Sequence, residues 1–318
     1  MVIIYYKTPE KTTRSSDIKL LDQLNKESII WIDLIDPSGD EKRRVEELLD
    51  TDLQSRSQAE EIESSSRYSE TESEIFANTN FLISQPDSFT YETVSFTITN
   101  DGILATLHNS DLRTLSEIGK KIQLSHKANT TGYHLMVTIL ENRIDLDADM
   151  VEGIAKEISY LSKQINLGNK VSEEMLLDIS QLQENTMVIR ENIIDKQRVV
   201  SNILRSSKFP DDVYPILNVL IKDVNSLVNH TDFSFSRLEY LQNTIIGLIN
   251  IEQSKIIKVF TVVTVFFMPP TLIASMYGMN LWLPLVDENE GWDLIISAAI
   301  MIVSVVITFF FFKRRKIL

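Results

Sequence analysis

The sequence predicts an α+β cytosolic domain carried on a long helical stalk that leads into two C-terminal transmembrane helices. Three observations carry that reading. Strand signals stop near residue 130, and helical periodicity replaces them from about residue 131. No charged residue occurs between Lys258 and Asp287, or between Asp293 and Lys313. The cations Lys313-Arg314-Arg315-Lys316 follow the last apolar run directly. As a helix, Leu294 to Phe312 would be about 28 Å long at roughly 1.5 Å per residue, against a hydrocarbon core of roughly 30 Å.

The 318-residue chain carries 45 acidic and 31 basic side chains, a formal net charge of −14. So acidic a chain lacks the basic footprint of a nucleic-acid-binding protein. It has no cysteine, which removes disulfides, thiolate metal sites and cysteine nucleophiles together. A mean hydropathy near zero averages a polar acidic body with a very apolar end. Met1 to Tyr6 is too short an apolar run for a signal peptide and lacks its basic start, so the body is expected to stay in the cytosol. Lysine and arginine prefer the cytoplasmic side of a membrane, which puts the tail at 313–318 inside. Two crossings return the body to the same side, and Lys255 and Lys258 before the first span agree. Both termini of this multi-pass protein of the cell membrane are expected to be cytoplasmic.

Residues 1–130 read as a mixed α/β domain. Val2 to Tyr6 is a strand candidate, and Ile29 to Leu34 a stronger one, ended by Asp36-Pro37. Ser38 with Glu41 three residues on forms a capping box that opens a helix through Leu49. Residues 52–74, rich in serine and glutamate, read as a surface helix and loop, or alternatively as a cation-binding acidic patch. Ile75 to Ile83 and Glu92 to Thr99 are further strands. Asn100-Asp101-Gly102 turns the chain into Ile103 to His108, because Asp-Gly tolerates the positive φ of such a turn.

Residues 131–210 read as an antiparallel helical hairpin. Met150, Ile154, Ile158, Leu161 and Ile165 recur at helical steps, Leu167-Gly168-Asn169 interrupts them, and Ser172 to Arg205 resumes with Leu176, Ile179, Leu182 and Ile189. After Ser206 to Pro210 the stalk helix occupies 211–258 and continues into the first membrane helix at 259–280. Gly247 within it costs a helix only about 1 kcal/mol. A short outer loop at 281–293, the second membrane helix at 294–312 and the tail at 313–318 complete the chain.

A span that met only lipid would have no reason to carry hydroxyls at regular spacing. Ser254, Ile257, Thr261, Thr264, Met268, Thr271, Ser275 and Gly278 follow at alternating steps of three and four, one stripe down one helix face. Such a helix is expected to self-associate with the stripe toward an axis, which makes these residues pore-lining. The alternative is that the hydroxyls merely bond back to their own backbone. Pro269-Pro270 falls mid-span, where the lost backbone bonds need packing or water.

The stripe ends at Tyr277-Gly278-Met279-Asn280. Asparagines from several copies around an axis would form a ring of neutral oxygen acceptors. Mg²⁺ holds its octahedral water shell tightly, so such a ring suits a hydrated ion bound through outer-sphere hydrogen bonds. The nearby acids Asp287, Glu288, Glu290 and Asp293 either concentrate cations at the mouth or simply mark a solvated loop.

Other stretches stand out beside that motif. Pro269-Pro270-Thr271-Leu272-Ile273-Ala274-Ser275 leads into it, and Asn250-Ile251-Glu252-Gln253 precedes the span. Trp31-Ile32-Asp33-Leu34 stands before Asp36-Pro37, and Glu61-Ile62-Glu63 before Ser66-Arg67-Tyr68. In these the chain resembles the CorA-type magnesium transporters over essentially its whole length, with the enterobacterial branch the nearer one. The resemblance implies a homopentameric funnel in the bilayer, with the first spans lining a pore and the second spans outside. It implies passage of Mg²⁺, with Co²⁺ and Ni²⁺ as further candidates, through a selectivity filter of Gly278, Met279 and Asn280. Thr271 and Met268 would lie deeper, and Ile257, Phe260 and Met268 would form a hydrophobic gate. Intracellular Mg²⁺ bridging acids of neighbouring subunits would close it, and Asp223 on the stalk is the acid assigned here. One departure is that Leu283-Pro284-Leu285 keeps the proline of the family's Met-Pro-Glu-Leu segment without its acid.

Two alternatives are weighed. The related ZntB-like zinc transporters tend to depart from Gly-Met-Asn, and His108, His126, His134 and His230 show no paired ligand spacing. A membrane-anchored sensor or enzyme would need neither the hydroxyl stripe nor the mid-span Pro-Pro. The body shows no nucleophile triad or phosphate-binding glycine loop, so enzymatic activity is not expected.

Overall fold

A strand buried on both faces, Ile29–Ile35 (β3), lies inside the amino-terminal sheet. The computed structural model describes residues 1–9, 11–54, 58, 67–86, 88–124, 130–167, 172–279 and 292–314. The chain divides into two compact units, Met1–Gln242 and Asn243–Leu318.

In the first unit the strands are β1 (Val2–Lys7), β2 (Thr12–Ser15), β3, β4 (Tyr68–Glu70), β5 (Glu74–Ser84), β6 (Phe89–Thr99) and β7 (Leu104–His108). They form one seven-stranded sheet in the order β2-β1-β3-β7-β6-β5-β4. Only β3 and β7 pair in parallel, Trp31 opposite Leu104 and Ile35 opposite His108. The long β5–β6 hairpin runs from Ser84 opposite Phe89 to Glu74 opposite Thr99. Gly102 turns the chain toward β7 at φ 74°, its N–H bonded to the Thr99 carbonyl at 2.8 Å.

Helices cover both faces of the sheet. On one, α1 (Gly39–Leu49) buries Val45 and Leu49 against Val2, Ile4, Ile32 and Leu34. Ser38 and Glu41 close the expected capping box at its start: Glu41 N–H donates to Ser38 Oγ, and Ser38 N–H to the Glu41 carboxylate. On the other, α2 (Arg113–Leu124) brings Gly119 so close to Tyr5 that a methyl group there would overlap the tyrosine hydroxyl. Helix α3 (Gly132–Asn166) starts where Gly132 N–H meets the Gly102 carbonyl at 2.7 Å, and a Cβ at Gly132 would lie 2.5 Å from Leu104 N. Helix α4 (Glu173–Ile203) returns beside α3, with Asp147 meeting Asn192 and Lys196.

Two polar clusters are sealed inside this unit. Asp147 Oδ2 accepts from Lys196 Nζ at 2.9 Å and from Asn192 Nδ2 at 3.0 Å. Arg143 lies 3.2 Å from its other oxygen. Lys196 also donates to the Asn80 carbonyl of β5 at 2.8 Å, which ties the sheet to the helical hairpin. Burial pushes the Lys196 ammonium down to about 8, against the pull of Asp147. In the second cluster, Trp31 Nε1 donates to Thr106 Oγ1, and Thr106 in turn to Asp33 Oδ1. His108 Nε2 lies 2.9 Å from the same Asp33 oxygen, and its Nδ1 lies 2.6 Å from the Ser110 carbonyl. Both ring nitrogens face acceptors, so this is a buried imidazolium–carboxylate pair.

Helix α5 (Tyr214–Gly278) runs 65 residues without interruption, with Pro215 in its first turn, where no N–H partner is required. Leu217, Leu220, Val224, Leu238 and Leu241 bury one of its faces in the first unit. Its distal half and α6 (Trp292–Arg314) belong to the second unit. The distal part of α5 and Ile295–Arg314 of α6 are each long and apolar enough to cross a membrane.

Three elements escaped the sequence reading: the edge strands β2 and β4, and the helix α2. Within 52–74, read as helix and loop, Tyr68–Glu70 is strand and pairs with β5. Residues 55–57 and 59–66, with Glu61-Ile62-Glu63, lie outside the described residues.

Candidate functional site

The distal half of α5 is divided lengthwise by what covers it. Val262, Phe266, Pro269, Ile273 and Tyr277 are half-buried and follow at steps of four and three. The Phe266 ring meets Phe309 at 6.4 Å and Phe312 at 6.2 Å between centroids, which identifies this as the face that α6 covers. The matching line on α6 is Ser297, Met301, Ser304, Thr308 and Phe312, half-buried with the same steps. Small hydroxyl residues at such a contact let two apolar helices approach closely.

Ser254, Ile257, Thr261, Thr264, Met268, Thr271, Ser275 and Gly278 are all exposed. At about 100° per residue, the centre of this stripe lies roughly half a turn from the line facing α6. Phe260, also exposed, flanks it one turn from Ile257 and Thr264. The stripe therefore points away from the chain's own second membrane helix.

The three threonine hydroxyls of the stripe bond to the helix that carries them. Thr261 donates to the Ile257 carbonyl at 2.8 Å, Thr264 to that of Phe260 at 2.9 Å, and Thr271 to that of Phe267 at 2.7 Å. The alternative weighed from sequence is thus present within a single chain. It leaves each hydroxyl oxygen with free acceptor capacity, because its one proton is committed to the backbone. Pro269 and Pro270 lie inside the helix and lack N–H groups, so the carbonyls of Val265 and Phe266 lose their usual donors.

At the outer end Met279 N–H reaches the Ser275 carbonyl at 3.1 Å. Gly278 has open space around it. Asn280 and the acids Asp287, Glu288 and Glu290 lie outside the described residues. Asp223 is exposed on α5 within the first unit. Among the described residues, no three side chains of His, Cys, Asp or Glu are grouped to hold a metal ion. Two histidines sit in acid pairs, His108 with Asp33 and His134 with Asp212.

These features define a class: a membrane protein with an α+β domain and two spans, one of which keeps a polar face free of its own neighbour. Residues 26–314 match the family model of the CorA-like Mg²⁺ transporter protein. The chain is 36% identical over 322 residues to the magnesium transport protein CorA of Wolinella succinogenes, covering 99% of both chains. It is 32% identical over 254 residues to the CorA of Escherichia coli, 79% of this chain and 80% of that one. Its fold matches the complete structure of the CorA magnesium transporter from Methanocaldococcus jannaschii with a TM-score of 0.79 at 20% identity, covering 99% and 98% of the two chains. The chain belongs to the CorA-like Mg²⁺ transporter family, a family of transporters and not of enzymes. The α+β domain, long helix and two apolar C-terminal helices expected from the sequence are those of this fold.

Proposed function

We propose that five copies of this chain surround an axis in the cell membrane, with the α5 stripe inward, and pass Mg²⁺ passively. The observation that carries this reading is the polar face of α5 that α6 leaves bare. Waters in the first shell of Mg²⁺ turn their hydrogens outward, and the ion gives them up reluctantly. Threonine oxygens that can only accept are suitable partners for those waters. Asn280 supplies the outer-sphere acceptor ring of the filter, with Gly278 and Met279 beside it. Ile257, Phe260 and Met268 form an apolar constriction that stops ions by dewetting.

A divalent ion crossing an inside-negative potential of about 100 mV gains about 4.6 kcal/mol, so no nucleotide hydrolysis is required. Intracellular Mg²⁺ closes the pore by bridging acids of neighbouring copies, Asp223 among them. Both termini face the cytoplasm, and Lys313 and Arg314 in the last turn of α6 support that orientation.

The test is Mg²⁺ flux into reconstituted vesicles. Asn280→Ala is expected to abolish uptake while the oligomer, followed by size-exclusion chromatography, persists. Uptake at the wild-type rate by that variant overturns the filter assignment. Co²⁺ and Ni²⁺ are expected to compete with Mg²⁺, whereas competition by Zn²⁺ alone would favour the zinc-transporting alternative.

A further inference from the structure

The amino-terminal domain holds a cleft of about 520 Å³ between β1, β2 and α2 that the conduction stripe does not use. Helix α2 turns Leu115, Ile118 and Ile122 into the core, and its opposite side presents Arg113, Ser116, Lys120 and Gln123 to the cleft. The facing wall is the β1–β2 pair, where Tyr5 and Arg14 are directly opposite each other.

The floor of this cleft is fixed. Tyr5 is only 2% exposed, and its ring stacks on Trp31 with centroids 4.5 Å apart. Its hydroxyl is held against the backbone of α2 at Gly119. Arg14, exposed on β2, borders the same cleft.

The charge balance is unusual for a chain of net charge −14. Arg14, Arg113 and Lys120 line the cleft, against the single acid Asp111. Asp111 accepts from Ser116, and Arg113 pairs with Glu117 at 2.7 Å. Among the described residues, neither Arg14 nor Lys120 has a carboxylate in ion-pair contact. Two cations, a tyrosine and a serine from three elements thus border one space. Every lining residue except Asp111 can donate a hydrogen bond.

We propose that this cleft binds a phosphate-bearing small anion, with Arg14 and Lys120 holding the phosphate oxygens and Arg113 closing the rim. A guanidinium matches phosphate geometry with two parallel donors, and an ammonium adds a compact charge. The volume lies within the roughly 300–1,000 Å³ of small-molecule sites, which suits a nucleoside polyphosphate better than a lone phosphate. Polyphosphates are themselves Mg²⁺ ligands, so an occupant would bring chelated magnesium to the domain. The binding stands independently of conduction.

The experiment is isothermal titration of the full chain in detergent with ATP, and separately with inorganic tripolyphosphate, at fixed ionic strength. Saturable binding of at least one probe is expected. Lys120→Gln and Arg14→Gln are each expected to weaken it by about tenfold, the worth of one charged contact. Lys163→Gln, which removes an exposed cation from α3, is expected to leave it unchanged. Lys120 lies on an exposed helix face, so its variant is expected to melt with the wild type. Absence of binding by both probes, equal binding by both cleft variants, or an equal loss in Lys163→Gln overturns the proposal.

Discussion

The interior of the first unit and the distal half of α5 handle polar groups in opposite ways. In the first unit, Asp147, Lys196, Asn192 and Arg143 are brought together inside the fold, as are Trp31, Thr106, Asp33 and His108. Along α5, by contrast, the polar atoms lie on an exposed face, and among the described residues the threonine oxygens accept from no side chain. A closed network serves the fold of one chain. An open row of acceptors in an otherwise apolar helix is complete only when something outside the chain meets it.

That contrast can be broken, and the largest effect is expected inside the network. Asp147→Ala would leave the buried charges of Lys196 and Arg143 uncompensated, at about 3–5 kcal/mol. Thermal unfolding of the detergent-solubilised protein reads this, and the triple variant Asp147→Leu/Lys196→Met/Arg143→Met, which removes all three charges, should recover much of the loss. Next is Gly132→Ala, where the added methyl meets the backbone of Leu104 and Gly102 and should cost roughly 1–3 kcal/mol.

A smaller effect concerns pH. Burial alone would lower the His108 pKa, but the hydrogen bond and charge of Asp33, with the Ser110 carbonyl and Glu92, raise it overall. A group with a raised folded pKa contributes stability that is complete below its unfolded value of about 6.5 and is lost as pH rises through the folded value. Lys196 works in the other direction above about 8, because its folded form releases its proton before the unfolded chain does. His108→Gln should therefore remove the His108 part of the alkaline decline, seen as the difference between the two melting curves from pH 6 to pH 9. Identical pH dependence in both proteins would show that the pair is not ionised as described.

The smallest effect on stability belongs to the stripe. Thr264→Val removes a hydroxyl from an exposed face and is expected to change unfolding by less than about 0.5 kcal/mol. Its Mg²⁺ flux should nevertheless fall measurably in vesicles. A large loss of stability with unchanged flux would make the stripe a structural feature.

Local chemistry made much of this legible in the sequence. The Ser38–Glu41 box, the turn at Gly102 and the apolar run of β3 each declare themselves within a few residues. The stripe was legible because a helical period needs only one element to be seen. What escaped depends on distant partners. Asp33 sits in an apolar strand, but its partner His108 is 75 residues away. Edge strands of four and three residues, β2 and β4, are defined by the neighbours they pair with and carry little signal of their own. Helix α2 is short, and its cleft-facing side reads as ordinary surface until Tyr5 and Arg14 are placed across from it. The side of α5 that α6 covers could not be assigned from the sequence alone.

The parallel pairing of β3 with β7 also sets an order of events on the ribosome. Ile35 is made about 70 residues before Leu104, which at roughly 5–20 residues per second is on the order of 4–14 s. Through that interval one edge of the most apolar strand in the domain has no native partner, while β1 can already pair with the other. Nascent chains stalled before residue 104 should accordingly be the ones that holdase chaperones retain. Release should follow once β7 has emerged, well before the membrane helices are synthesised.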